Sequence, residues 1–126
     1  IVKISDEELG FITGENDIKS ALPKLFTGNV KLVIYTCGSE GAYAFTKNAQ
    51  AFAESEKVKA VDTTGAGDGF IGSFLYALKT LNVTAESLCD LDDAQLERCI
   101  AFSNKFCGES VKHQGAIDSY RKIEFI

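Results

Sequence analysis

The sequence predicts an α/β fold, and specifically part of a three-layer α/β sandwich. Two features carry that prediction. The order of periodic segments reads β-α-α-β-β-β-β-α-α, in which strands alternate with paired helical stretches. Lys31-Leu32-Val33-Ile34-Tyr35-Thr36 is an almost unbroken apolar run, as expected of a central parallel strand covered on both faces.

Each element follows from local chemistry. Ile1–Ser5 reads as the end of a strand, and Ser5-Asp6-Glu7-Glu8 opens a helix through a capping box, with Ser5 on the Glu8 N–H and Glu8 reaching back. Gly14 ends that helix. A second runs from Asn16 or Asp17 to about Phe26, with Leu22, Leu25 and Phe26 inward and Pro23 disturbing it. Gly28-Asn29 turns into the apolar strand, and Gly38-Ser39-Glu40-Gly41 is a tight loop. Ala42–Thr46 and Gln50–Ala53 form an antiparallel pair around Lys47-Asn48-Ala49. Lys57–Val61 is a further short strand. Phe70, Ile71, Phe74, Leu75, Leu78 and Leu81 then mark the core stripe of a helix over 70–81, ended by Asn82. Another helix covers Asp93–Val111, with Leu96, Cys99, Ile100, Ser103 and Cys107 on one face and Gly115 as a stop signal. Ser119–Phe125 is expected to form a last short helix.

Composition narrows the function. The 126 residues suffice for one modest domain, with 45% hydrophobic and 25% charged residues, as in ordinary globular chains. A net charge of −5 gives no basic footprint for nucleic acid. No apolar stretch approaches the roughly 20 residues of a membrane span, and no signal peptide is expected from the opening Ile1-Val2-Lys3-Ile4-Ser5. The cysteines, Cys37, Cys89, Cys99 and Cys107, form no C-x-x-C pair, and with a single histidine (His113) a zinc site is not expected. They read as reduced, partly buried thiols of a cytoplasmic protein.

The most informative stretch is Val61-Asp62-Thr63-Thr64-Gly65-Ala66-Gly67-Asp68-Gly69-Phe70. Its glycines let backbone approach an anion, and the helix start behind them offers unpaired N–H groups and a positive dipole end. A carboxylate there repels a bound phosphate. It makes sense as a general base, Asp68, beside N–H groups that hold charge developing on a transferring phosphoryl group. The bland alternative is a helix N-terminal acid favoured by the dipole alone.

The stretch resembles the second signature of the ribokinase-like (PfkB) carbohydrate kinases, close to D-T-x-G-A-G-D, and matches it at every specified position. The resemblance implies a three-layer ribokinase-like sandwich, of which residues 1–126 would be the C-terminal half: part of the central sheet with its flanking helices, bearing the nucleotide site and the catalytic base. Family members are more than twice as long, so the abrupt start suggests a fragment. The implied activity is ATP-dependent phosphorylation of a sugar hydroxyl. Asp68 would be the base, and Gly65, Ala66 and Gly67 the anion hole. Thr36, Gly38 and Gly41 resemble the T-x-G-x-x-G segment lining ATP phosphates and ribose, and Asn104 the adenine-closing segment. Glu8 keeps the acid of an N-x-x-E motif tied to metal and phosphate handling, while Ser5 replaces its asparagine and is similar to the fructokinase-like branch. Mg²⁺ would bridge the phosphates largely through water. Some members bind K⁺, for which Asp62, Thr64, Gly115 and Ser119 would be candidate ligands, mostly through carbonyls. The partner is a small sugar, fructose preferred, and the full-length protein could form a homodimer.

Two other classes stay open. Gly67-Asp68-Gly69-Phe70-Ile71-Gly72 also spells the G-x-G-x-x-G dinucleotide fingerprint, with Asp90 or Asp92 about 20 residues on. That reading needs a strand after the helix, and Val83–Leu91 is polar and broken. The other class is a non-catalytic nucleotide-binding fragment. No Walker A sequence occurs. Isolated, half a sheet would expose a strand edge and apolar helix faces, which predicts instability or association.

Overall fold

The computed structural model describes residues 1–57, 61, 63, 65–116, 118 and 120–125. Its elements are β1 (Val2–Ser5), α1 (Asp6–Thr13), α2 (Ile18–Leu25), β2 (Val33–Thr36), β3 (Gly41–Phe45), β4 (Gln50–Glu54), α3 (Ala66–Thr80) and α4 (Asp93–Ser110). The strands form one sheet in the order β1-β2-β3-β4. β2 pairs parallel with β1 and antiparallel with β3, so it is central but parallel on one side only.

Alternation along β2 builds three layers. Leu32 and Ile34 face α3 and α4, where Ala42, Ala44, Phe74, Leu96 and Ile100 complete the larger core. Val33 faces the other way and joins Ile4, Leu9, Ala21, Leu25 and Phe45 beneath α1 and α2. Leu32, Val33 and Ile34 are all 0% exposed, as an apolar run between two helical layers requires.

The predicted capping box exists: Ser5 Oγ accepts the Glu8 N–H at 3.3 Å, and the Glu8 carboxylate accepts the Ser5 N–H at 2.9 Å. Gly14 closes α1 in the left-handed region with φ +74°. Pro23 sits inside α2 without ending it, because its missing N–H costs one bond and the chain still closes Phe26 N–H onto Leu22 O at 2.8 Å. The 47–49 turn is held by Thr46 Oγ1, which accepts the Asn48 and Ala49 N–H groups.

Three expectations change. The helix predicted from Phe70 begins at Ala66, so Ala66, Gly67 and Asp68 are its first turn, and Gly65 is its N-cap with φ +77°. Its buried residues are Gly69, Phe70, Ser73, Phe74, Ala77 and Leu78, while Leu75 is 47% exposed. The last predicted helix is absent from residues 120–125, which carry no regular secondary structure. Their apolar residues, Ile123 and Phe125, alternate at a period of two and pack onto the larger core, with Phe125 edge-on to Phe102 and beneath Arg98. Residues 58–60 of the predicted Lys57–Val61 strand lie outside the described residues.

The expected open edge is present. β1 pairs only with β2 among the described residues, and Phe11 and Ile12 on α1 are 95% and 59% exposed. No helix of the described residues is long and apolar enough to cross a membrane.

One core position works against stability. Ser103 is fully buried on α4, and its Oγ finds no hydrogen-bond partner among the described residues. An unsatisfied buried hydroxyl carries a desolvation penalty. Ser103→Ala is therefore expected to stabilise the chain by about 1 kcal/mol, raising Tm by roughly 4 °C. A fall in Tm in a thermal melt would show that the hydroxyl has a partner.

Candidate functional site

Parallel α/β sheets collect ligands beyond the carboxyl ends of their strands, and the cavity here lies there. Ser5 ends β1, Thr36 ends β2, and both line a cavity of about 480 Å³. Gly38, Gly41, Ala66, Gly67 and Asn104 line it too. Of the residues proposed for the nucleotide, Thr36, Gly38, Gly41 and Asn104 are thus brought together, beside two of the three proposed for the anion hole.

Each wall is built by local structure. A 3₁₀ turn over Gly38–Glu40 carries the first wall. Cys37 N–H donates to Gly41 O at 2.8 Å, and Ser55 Oγ and Lys57 Nζ donate to Gly38 O and Ser39 O. Gly38 at φ +55° and Gly41 at φ +133° supply backbone that other residues rarely adopt. Asn104, buried on α4, donates through Nδ2 to Ala53 O at 2.9 Å and Glu54 O at 3.1 Å. The amide therefore fastens α4 to the end of β4 on the cavity rim.

The third wall is the first turn of α3. Gly69 N–H closes onto Gly65 O at 2.8 Å, and Ala66 N–H is engaged by Thr63 O at 3.1 Å. Gly67 and Asp68, as second and third residues, have no carbonyl one turn back inside the helix for their N–H groups. Of the predicted Gly65-Ala66-Gly67 set, the Ala66 N–H is thus engaged by a backbone carbonyl.

Lys3 is a cavity residue that sequence reasoning missed. A methyl group built on Gly67 would lie 3.2 Å from Lys3 Nζ, which makes no hydrogen bond or ion pair among the described residues. An ammonium parked at the positive end of a helix dipole is repelled unless an anion joins them. The available signal was a lone basic residue in the apolar strand Val2–Ile4. Asp6 and Glu7, also missed, line the same cavity.

The remaining predicted residues stand elsewhere. Asp68 is exposed and opens on a neighbouring cleft of about 770 Å³ that also touches Tyr120 and Phe106. Glu8 is absent from the cavity lining. Its hydrogen bonds from the Ser5 N–H and hydroxyl hold its carboxyl below the usual range, so it serves the helix cap. Gly115 lies in the segment after α4 with φ +94°. Asp62, Thr64 and Ser119 lie outside the described residues. No cluster of three or more His, Cys, Asp or Glu suited to a metal occurs among the described residues.

The cysteines are free thiols. Burial pushes Cys107 up to about 12 and Cys99 up to about 11, so neither is a thiolate nucleophile. Cys107 Sγ instead donates to Ala66 O at 3.2 Å, below the first turn of α3. No strand follows α3 among the described residues; a 3₁₀ turn at Leu88–Asp90 leads directly to α4. The βαβ unit that a dinucleotide fingerprint requires is therefore not formed.

A mixed sheet between two helical layers, with a glycine turn feeding a helix at its carboxyl edge, is the ribokinase-like arrangement. Comparison with known proteins agrees. The model of the pfkB family carbohydrate kinases matches residues 1–123, and the chain belongs to that family. Probable fructokinase-3 of Arabidopsis thaliana is 38% identical over 119 residues, covering 93% of this chain and 33% of the relative. Among solved structures, a fructokinase with bound ATP from Xylella fastidiosa superposes with a TM-score of 0.85 at 25% identity, covering 94% of this chain and 38% of the other. A Vibrio cholerae fructokinase with fructose, ADP and calcium ion bound gives 0.77 at 32% identity, covering 94% and 37%. The chain thus spans about a third of the length of the curated relatives it matches.

Proposed function

We propose that this chain is the C-terminal, nucleotide-binding and catalytic-base part of an ATP-dependent carbohydrate kinase, with a fructose-like acceptor. The observation that carries this reading is the meeting of Lys3 Nζ and the N-terminal turn of α3 over Gly67, in a cavity edged by Gly38 and Gly41. Two positive ends aimed at one point suit the phosphate chain of a nucleotide. Family membership and the fructokinases among the relatives support the sugar acceptor.

In this reading Asp68 takes the proton from the acceptor hydroxyl as its oxygen attacks the γ-phosphorus. Its exposed place leaves it open to an acceptor approaching from outside the nucleotide cavity. Gly67 and Asp68 offer N–H groups to the transferring phosphoryl group, and Lys3 offsets its charge. Mg²⁺ arriving with the nucleotide would find carboxylates at Asp6 and Glu7 on the cavity wall. A monovalent ion would sit by the carbonyls near Gly115.

Calorimetry on the 126-residue chain tests the site directly. Mg-ATP is expected to bind saturably and NADH not at all. Lys3→Ala is expected to weaken Mg-ATP about tenfold, the scale of one charge-assisted contact, and to leave adenosine binding unchanged. Equal Mg-ATP affinity in the variant would remove Lys3 from the site. Silence of the folded chain toward Mg-ATP would remove the nucleotide site itself.

A further inference from the structure

The glycines of the 65–69 turn face different partners. Gly67 faces Lys3 across the cavity. Gly65 and Gly69 face the other way, and Tyr120 is the side chain they share: Ala116 also closes on Gly65, at 3.1 Å from an added Cβ, and Phe106 on Gly69, at 3.1 Å. A methyl group on Gly65 would lie 3.2 Å from Tyr120 Oη, and one on Gly69 would lie 3.1 Å from Tyr120 Cε1. Close approach to an anion therefore does not account for these two glycines; Tyr120, with Ala116 and Phe106, occupies the space they leave.

Tyr120 also makes a directed contact. Its hydroxyl donates to Gly65 O at 2.7 Å, the carbonyl that accepts the first N–H bond of α3 from Gly69. Gly65 is an N-cap with no side chain to hold the turn, so this hydroxyl, which donates to the cap carbonyl and leaves the free N–H groups of the turn open, ties the turn down from outside the helix. The ring rests on Phe106 of α4, with centroids 5.1 Å apart. Burial, and then the nearby Asp68 carboxylate, raise the phenol above its ordinary pKa. Simple packing of the segment after α4 explains the ring but not the hydroxyl, because Ile123 and Phe125 already anchor that segment on the core.

We infer that Tyr120 is a positioning residue: it clamps the first turn of α3 from the side opposite the nucleotide cavity and so fixes where the Gly67 N–H and the Asp68 carboxylate stand. The clamp itself stands on geometry alone; its catalytic consequence rests on the kinase reading.

Tyr120→Phe keeps the ring and deletes the hydroxyl. Amide hydrogen exchange on the 126-residue chain should show the Gly69 N–H exchanging about tenfold faster in the variant, the scale of one lost hydrogen bond, with the Leu96–Ile100 amides unchanged. Unchanged Gly69 exchange would overturn the clamp. In the full-length protein, kcat should fall severalfold while KM for Mg-ATP holds. Wild-type kcat beside a loosened Gly69 would overturn the positioning role. If the unmodified full-length protein has no sugar-kinase turnover, the kinase reading falls, and the exchange measurement alone still decides the clamp.

Discussion

Asp68→Asn in the full-length protein is expected to abolish sugar phosphorylation while Mg-ATP still binds. The substitution preserves shape and removes the negative charge together with the ability to accept a proton. General-base catalysis typically contributes roughly 10²–10⁴-fold, and a loss of that size in kcat is the expected result. The structure lets this role be separated from the bland one. Asp68 is the third residue of α3, where a carboxylate interacts with the helix dipole for at most about 1 kcal/mol. It is exposed, so no buried charge is left behind by the change. A helix acid and nothing more would show a small drop in Tm and unchanged turnover. A base would show the same small drop in Tm and lost turnover. Initial rates with fructose, run beside a thermal melt, distinguish the two. Turnover within tenfold of the unmodified protein would sink the mechanism.

What the sequence revealed of this site, and what it hid, divides along physical lines. Ser5 and Glu8 were legible because a capping box is local, with both partners within one turn. The β2 run was legible because covering both faces of a strand removes the polar alternation. Gly38 and Gly41, expected at the nucleotide's edge, take positive φ, and their loop borders the cavity that Ala66 and Gly67 enter. The start of α3 was hidden because glycines argue against helix by propensity; here Gly65 caps the helix and Gly67 lies inside it. The helix expected near the C-terminus failed for a tertiary reason. Its alternation of Ile123 and Phe125 is resolved by a surface on α3 and α4 that no local signal describes. Lys3 and Tyr120 were missed for the same reason. Each reaches the 65–69 turn from far along the chain, and only the fold brings them to opposite sides of it.

Gly41→Ala is expected to be the most destabilising small change at this site, by about 3 kcal/mol or more. Two penalties coincide there. The backbone is at φ +133°, which L side chains rarely adopt, and an added Cβ would lie 2.3 Å from Ala53 O and 2.9 Å from Glu54 Cα. The obstructing atoms are backbone of the partner strand, in register at Gly41–Glu54 and Ala42–Ala53, so no rotamer change relieves the clash. The strand end must move. It cannot move alone, because Ala53 O and Glu54 O are the two acceptors that hold Asn104 on the cavity rim. The same displacement thus loosens β3 from β4, frees the Asn104 amide, and shifts a wall of the cavity. Gly38→Ala is the matched control, since Gly38 also has positive φ, at +55°, but nothing lies within 4 Å of an added Cβ. There only conformational strain is expected, roughly 1–2 kcal/mol. Urea unfolding of both variants, with Mg-ATP titration of the folded fraction, reads stability and site together. A Gly41→Ala cost no greater than that of Gly38→Ala would mean that the β3–β4 end yields freely, and the coupling of sheet edge to cavity would then be wrong.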